Sequence, residues 1–406
     1  MNVKMAMPSS KRSISKIALA VLAVAFFPIS IPLVVLNKIK RQKRKALMEA
    51  FTALHGDGIE AGLRILKKNS KVVPPGVKHL FKAVFCETDS TWETETNAWL
   101  CHETTINIRL KSGGEPRFYR IAFEDVPKVD RPEKITILMA AYNSENTICP
   151  AVQSILNQSW KNIELIVVND MSTDRTGDLL DDMARGDTRM TVLHNTVNVG
   201  PYVCRNLALS IATGDFVTGH DADDLALPNR LERQVVAMLD SDEIDAVIGQ
   251  MVRFNENGEL SFASIIHRNS YDGLHRLAMI SLMIRRETLS RFGYWDSVRF
   301  GADSELFARL RTNIGGRVKV TRVLTMLCLD SEGSLTNHAE YGIKKAGGTS
   351  QIRQEYSELW QGWHETCAGK VPYREFSNAE RPFGAPEKML VPKEDIDALR
   401  SQIGER

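Results

Sequence analysis

Asp215-Phe216-Val217-Thr218-Gly219-His220-Asp221-Ala222-Asp223-Asp224 joins an apolar strand to an acidic turn. A buried strand that ends in carboxylates puts ligand-binding groups at the carboxyl edge of a sheet, where open α/β sheets hold their ligands. The flanking sequence has the matching texture. Ile135 to Ala141 and Ile163 to Val168 are short apolar runs, and Met190 to Leu193 is a third. Between them lie helical patterns: Glu145 to Trp160 with Ile148, Val152, Ile155 and Leu156, and Val199 to Ala212 with Val203, Leu207 and Ile211. Pro228 opens a further helix carrying Leu231, Val235 and Met238. This strand–helix alternation predicts an α/β body with a parallel sheet covered on both faces.

The whole chain has 406 residues, 43% hydrophobic and 25% charged, which is an ordinary globular composition. Its net charge of +2 hides an asymmetry. No acid precedes Glu49, and ten basic side chains lie there, leaving 42 basic against 50 acidic residues elsewhere. A mildly acidic body argues against a nucleic-acid partner. The six cysteines are scattered, with no C-x-x-C pair, and read as reduced thiols; a Cys86–Cys101 disulfide is the one alternative considered.

Residues 17–36 carry no charged side chain and are long enough to cross a bilayer as a helix. Lys38 to Lys45 follows as a basic cluster that outweighs Lys11, Arg12 and Lys16 before it. The charge bias predicts an inner-membrane anchor with the catalytic bulk on the cytoplasmic side. Pro28 and Pro32 leave open whether the segment spans once or dips as a monotopic hairpin. The organisation expected is an anchor and basic cluster over 1–45, an accessory α+β region over 46–131, the α/β body over 132–345, and a C-terminal helix with an extended tail over 346–406. In the accessory region, 46–68 reads as helical with a break at Gly56-Asp57-Gly58; 105–110 and 118–123 read as paired strands.

Three strand ends carry polar groups that should meet in one crevice: Ala141-Tyr142-Asn143, Asn169-Asp170-Met171-Ser172-Thr173-Asp174, and the 220–224 turn. Together with Ser154-Ile155-Leu156-Asn157-Gln158, Asn198-Val199-Gly200, Arg205-Asn206 and Ala212-Thr213-Gly214-Asp215, in this order, they resemble family 2 glycosyltransferases of the bacterial polysaccharide type. The resemblance covers roughly residues 133 to 340. It implies the GT-A fold, a Rossmann-like mixed sheet with helices on both faces. It implies a nucleotide-sugar donor, of which a UDP-sugar is the expected kind, and a glycan or lipid-linked acceptor. Asn169 departs from the pattern, which often has a second acid there.

A donor diphosphate is dense negative charge, and a divalent cation between it and carboxylates removes the repulsion. Mn²⁺ and Mg²⁺ suit oxygen ligands. The resemblance puts the metal on Asp223 and Asp224 and donor contacts on Asp221 and Asp223; His338 is a further metal or phosphate contact or a lone surface histidine. It assigns donor contacts to Ala141, Tyr142, Asn143, Glu145, Asp170 and Arg205, with Asp170 reading the base. Asp170 also suits a helix cap, and Arg205 a structural ion pair.

Inverting transfer needs a carboxylate to take the acceptor hydroxyl proton. Gly301-Ala302-Asp303-Ser304-Glu305 resembles the stretch that carries it, with Ala302 in place of a first acid. Asp303 is the candidate base, and Glu305 the fallback; Asp303 also suits the cap of the helix that follows. Two other classes compete: a nucleotidyltransferase making nucleotide-sugars, and a non-catalytic membrane scaffold. The first usually has a glycine-rich basic loop after its first strand, whereas here that strand runs into Tyr142-Asn143-Ser144-Glu145. The acids at 221, 223, 224 and 303 speak against the second.

Overall fold

The computed structural model describes residues 33–261, 274–343, 349–376 and 381–404. Most of the expected membrane segment, including Pro28 and Pro32, lies outside the described residues. No helix among the described residues is long and apolar enough to cross a membrane.

The chain opens with four helices: α1 (Leu33–Asp57), α2 (Ile59–Lys68), α3 (Val77–Ala83) and α4 (Asp89–Leu100). The break between the first two falls at Gly58, whose φ of 86° is easy only for glycine. A small antiparallel pair follows, β1 (Ile108–Leu110) and β2 (Ile121–Phe123), separated by the short α5 (Arg117–Arg120). The body then runs β3 (Ile135–Ala141), α6 (Ile148–Leu156), β4 (Ile163–Asn169), α7 (Thr176–Gly186), β5 (Met190–His194), α8 (Pro201–Ile211) and β6 (Phe216–Asp221). Next come β7 (Leu225–Ala226), α9 (Arg230–Leu239), β8 (Ala246–Phe254), β9 (Leu260–Ser261), β10 (Arg276–Leu277), β11 (Met283–Arg285) and α10 (Arg286–Phe292). The last elements are α11 (Ala302–Ile314), β12 (Val318–Leu329), α12 (Gln351–Thr366) and α13 (Lys393–Gly404).

The main sheet has the order β5-β4-β3-β6-β11-β8-β12-β7, with β9 and β10 also paired to β8. The first four strands are mutually parallel. β11 is antiparallel to both β6 and β8, β12 is parallel to β8, and β7 is antiparallel to β12. The wholly parallel sheet read from strand–helix alternation therefore holds for the first half only. Beyond β6 the sheet is mixed, as the resemblance implied.

The alternation of side chains across β3 and β4 explains why both faces are covered. Ile137, Met139, Leu165 and Val167 bury against Val152, Ile155, Leu231, Val235 and Met238 on one face. Leu138, Ile166 and Val168 bury against Val203 and Leu207 on the other. That second core continues into the C-terminal tail through Tyr356, Trp360, Met389, Val391, Ile396 and Leu399. The N-terminal region has a third core, built from Leu47, Leu54, Phe81, Trp92 and Trp99 together with Leu225, Leu227, Val252, Phe254 and Leu327 of the body. The accessory region thus shares its interior with the edge of the main sheet, and Trp92 Nε1 donates to the Gly258 carbonyl at 2.8 Å. All six cysteines are free thiols, so no Cys86–Cys101 bond forms.

Candidate functional site

Strand register brings the predicted residues to one edge. Ala141 pairs with Asn169, Asn169 with His194, and Ala140 with Asp221. Two loops leave this edge and are zipped together. The Asn143 amide donates to Ser172 Oγ, and Asn143 Oδ1 accepts from the Thr173 amide at 2.9 Å. The Glu145 amide donates to Asp174 Oδ2, while Glu145 Oε2 accepts from the Arg175 amide. Asn143 takes a left-handed φ of 47°, a conformation asparagine tolerates better than most residues. Tyr142 is left 51% exposed, so its ring is available as a stacking surface.

Asp170 is placed differently from the base-reading role. It is buried, and Oδ1 accepts from Asn195 Nδ2 at 2.9 Å and the Val199 amide at 3.0 Å. Oδ2 accepts from the Gly200 amide at 2.7 Å. Both carboxylate oxygens therefore clamp the turn into α8, where Gly200 sits at φ 83°. Nor does Asp170 cap the helix after Ser172. The Asn169 departure has a local use: its Oδ1 accepts from the Ser172 amide at 3.1 Å.

Asp221, Asp223 and Asp224 each offer a carboxylate oxygen within 4.8 Å of the others, a group of acids able to hold a metal ion. Burial and then the charge of Asp221 push the Asp223 carboxyl up. Burial and then the charges of Asp223 and Asp221 push Asp224 up further. Crowded carboxylates with raised affinity for protons are suited to a cation. Asp224 is the buried member, and its Oδ1 accepts from the Leu329 amide at 3.0 Å. Arg205 is buried and donates from Nη2 to Asp221 Oδ1 at 2.5 Å, and its guanidinium lies over the Tyr202 ring. The ion pair sets Arg205 beside the acidic group.

Below the cluster, His220 is fully buried. Its Nε2 faces the Asp224 carbonyl at 3.1 Å and so carries the proton, while Nδ1 accepts from Arg230 Nη1 at 3.1 Å. Burial first, and then Arg230, hold it neutral. Arg230 also donates to Thr218 Oγ1 and the Gly219 carbonyl, fixing the end of β6 from beneath. Sequence reasoning missed this support, because nothing in the spacing pairs residues 220 and 230.

Asp303 lies in the first turn of α11, half-buried, with Oδ1 accepting from the Ser304 amide at 2.9 Å. Its charge acts on Tyr202 and Arg205, so it lies within electrostatic reach of both. Glu305 does not fit the fallback role. It is fully buried, its oxygens accept from Arg309 Nε and Nη2, and His364 Nε2 lies 3.0 Å from Oε1. A carboxylate so engaged has no oxygen for an acceptor hydroxyl. His338 is likewise not brought into the acidic group. Its ring stacks on Tyr341 at 4.2 Å, and Nδ1 accepts from the Glu340 and Tyr341 amides.

With this geometry established, comparison with known proteins gives a consistent answer. Residues 136–304 match the family model described as glycosyl transferase family 2. The chain is 39% identical over 127 residues to the putative glycosyltransferase EpsE of Bacillus subtilis, 31% of this chain and 45% of that one. It is 29% identical over 163 residues to the Escherichia coli enzyme WfgD, named as a UDP-Glc:alpha-D-GlcNAc-diphosphoundecaprenol beta-1,3-glucosyltransferase, covering 39% of this chain and 63% of that one. The S. aureus TarS structure in complex with UDP-GlcNAc aligns at 24% identity and a TM-score of 0.40, over 50% of this chain and 60% of that one. The chain spans less than two thirds of the length of these relatives. The matched region takes in Asp170, Arg205, the acidic group and Asp303, so the chain carries a glycosyl transferase family 2 domain over residues 136–304.

Proposed function

We propose that the protein transfers a sugar from a nucleotide-sugar, a UDP-sugar in the first instance, to a glycan or lipid-linked acceptor. The observation that carries this reading is the meeting of Asp221, Asp223 and Asp224 within 4.8 Å at the end of β6. Asp221, Asp223 and Asp224 would hold a divalent cation, which neutralises charge on a departing nucleoside diphosphate. Tyr142 offers a face to the base, and Arg205 fixes Asp221. Asp303 takes the proton from the acceptor hydroxyl as its oxygen attacks the anomeric carbon, and that single displacement inverts the centre. WfgD, with its diphosphoundecaprenol-linked acceptor, supports a membrane-bound acceptor here.

The test is a panel of UDP- and GDP-sugars assayed for Mn²⁺-dependent release of nucleotide and for thermal stabilisation. Stabilisation and turnover with one donor would support the reading. Failure of every donor to bind or react in Mn²⁺ would overturn it.

We also propose membrane attachment through residues 17–36, with the body on the cytoplasmic face. Lys38, Arg41 and Lys45 are exposed on α1, as expected of side chains facing anionic lipid head groups. Deleting residues 1–45 should move the protein to the soluble fraction; continued sedimentation with membranes would overturn the anchor.

A further inference from the structure

Arg253 stands beside the acidic group, and Arg276 stands beside Arg253. Arg253, on β8, is 8% exposed. It donates from Nη2 to the Leu329 carbonyl at 2.7 Å and approaches Asp330 at 3.5 Å. The amide of that same Leu329 binds Asp224, so Arg253 is one residue removed from the candidate metal site. Its charge acts on both Asp223 and Asp224. Arg276 is half-buried on β10, which pairs with β8. Among the described residues, no carboxylate lies within ion-pair distance of it. Asp330, whose charge acts on it, already accepts from Ser261 Oγ and Asn337 Nδ2 and is approached by Arg253.

Two guanidiniums therefore share one carboxylate that is already engaged. Nε of each is buried with no partner. Burial, and then the like charge of Arg253, bring Arg276 down to about 10. Positive charge held out of water is costly unless it is fully paired. Guanidinium is also the group best matched to planar or tetrahedral oxyanions.

Position in the sheet decides on which side of the acidic group the oxyanion lies. The β3 and β4 loops that form the nucleotide side lie on one side of β6, and β8 with β10 lies on the other. We propose that Arg253 and Arg276 form a subsite for an oxyanion of the acceptor, a phosphate or a sugar carboxylate, across the acidic group from the nucleotide. This rests on the glycosyltransferase reading for the word acceptor, but the anion site itself does not.

The test uses the full chain and thermal unfolding. Inorganic phosphate is titrated in EDTA at constant ionic strength, so that no metal can hold it. Methyl glucuronide is titrated in parallel. Wild type should show a saturable rise in Tm with at least one of them. The apparent Kd should weaken about tenfold or more in R276Q and recover in part in R276K, with both variants keeping the wild-type starting Tm within a few degrees. Response to phosphate alone assigns a phosphorylated acceptor, and response to the glucuronide alone an acidic sugar. No saturable response in wild type, or an equal response in R276Q, overturns the proposal. A UDP titration with Mn²⁺ separates the two readings. UDP stabilising wild type and R276Q alike keeps Arg276 on the acceptor side. Loss of the UDP response in R276Q alone places Arg276 on the donor diphosphate and overturns it. Failure of UDP on both sinks the UDP-donor reading and leaves the phosphate result standing.

Discussion

Arg205 Nη2 donates to Asp221 Oδ1 at 2.5 Å, from a guanidinium that is itself buried under the turn into α8. The pair joins α8, the helix after β5, to the last residue of β6. Asp303 acts on the same guanidinium. Arg205 thus pairs with Asp221 and lies within electrostatic reach of the candidate base. Replacing it with alanine leaves Asp221 without its partner and frees its position. R205A should cost about 1–3 kcal/mol of stability. It should also lower kcat/KM by on the order of 100-fold through misplacement. Denaturant unfolding and steady-state transfer assays check both; wild-type kcat/KM in a folded R205A would show that the pair is structural only.

Asp303→Asn keeps the shape of the side chain and removes its capacity to take a proton. The Ser304 amide still has an oxygen to bond at the start of α11. Turnover should fall by roughly 10²–10⁴-fold, while the nucleotide affinity stays within a few-fold of wild type. Turnover at the wild-type level would remove Asp303 from the chemistry.

The acidic group should divide under substitution. Asp224 is buried and accepts the Leu329 amide, whereas Asp223 is half-buried. D223A should abolish stabilisation by Mn²⁺ and leave the metal-free Tm nearly unchanged. D224A should lose the same Mn²⁺ response and also destabilise the metal-free protein by about 1–3 kcal/mol, because a buried N–H loses its acceptor. EDTA should stop transfer by wild type. Full activity in EDTA would count against the metal, and equal metal-free stabilities against the structural part of Asp224.

The parts legible in the sequence were those set by local pattern. Apolar runs such as Ile135 to Ala141 are periodic enough to name as strands, and their order brings 141, 169 and 221 to one edge. What was not legible depends on packing between distant segments. Asp170 could be picked out as a polar strand end, but its three donors come from Asn195, Val199 and Gly200 on another loop. Glu305 looks like an acid near Asp303 in sequence, yet two residues along the helix turn it into the core against Arg309 and His364. The short β11 reverses the sheet with only three residues, Met283–Arg285, too few to carry a direction in their pattern.

The C-terminal tail offers a pH-dependent test of how it is fastened. Asp296 is fully buried, with Arg374 on Oδ1, and Arg381 and the Tyr356 hydroxyl on Oδ2. Burial alone would push this carboxyl up, but Arg374 and then Arg381 override it and hold it below the usual range. The unfolded chain takes up the proton near the ordinary aspartate value of about 3.9. The folded value lies lower, so the stabilisation is complete above about pH 5 and is lost as pH falls from there through the folded value. D296N removes the charge of the buried carboxylate that Arg374 and Arg381 share and should cost roughly 3–5 kcal/mol at pH 7. Its Tm deficit should shrink as the pH is lowered below about 4, because the unfolded wild-type chain takes up a proton there that the folded carboxylate resists. Scanning calorimetry of both proteins between pH 7 and pH 3 reads this directly. A deficit that stays constant over the range would show that the carboxylate's charge is not what fastens the tail.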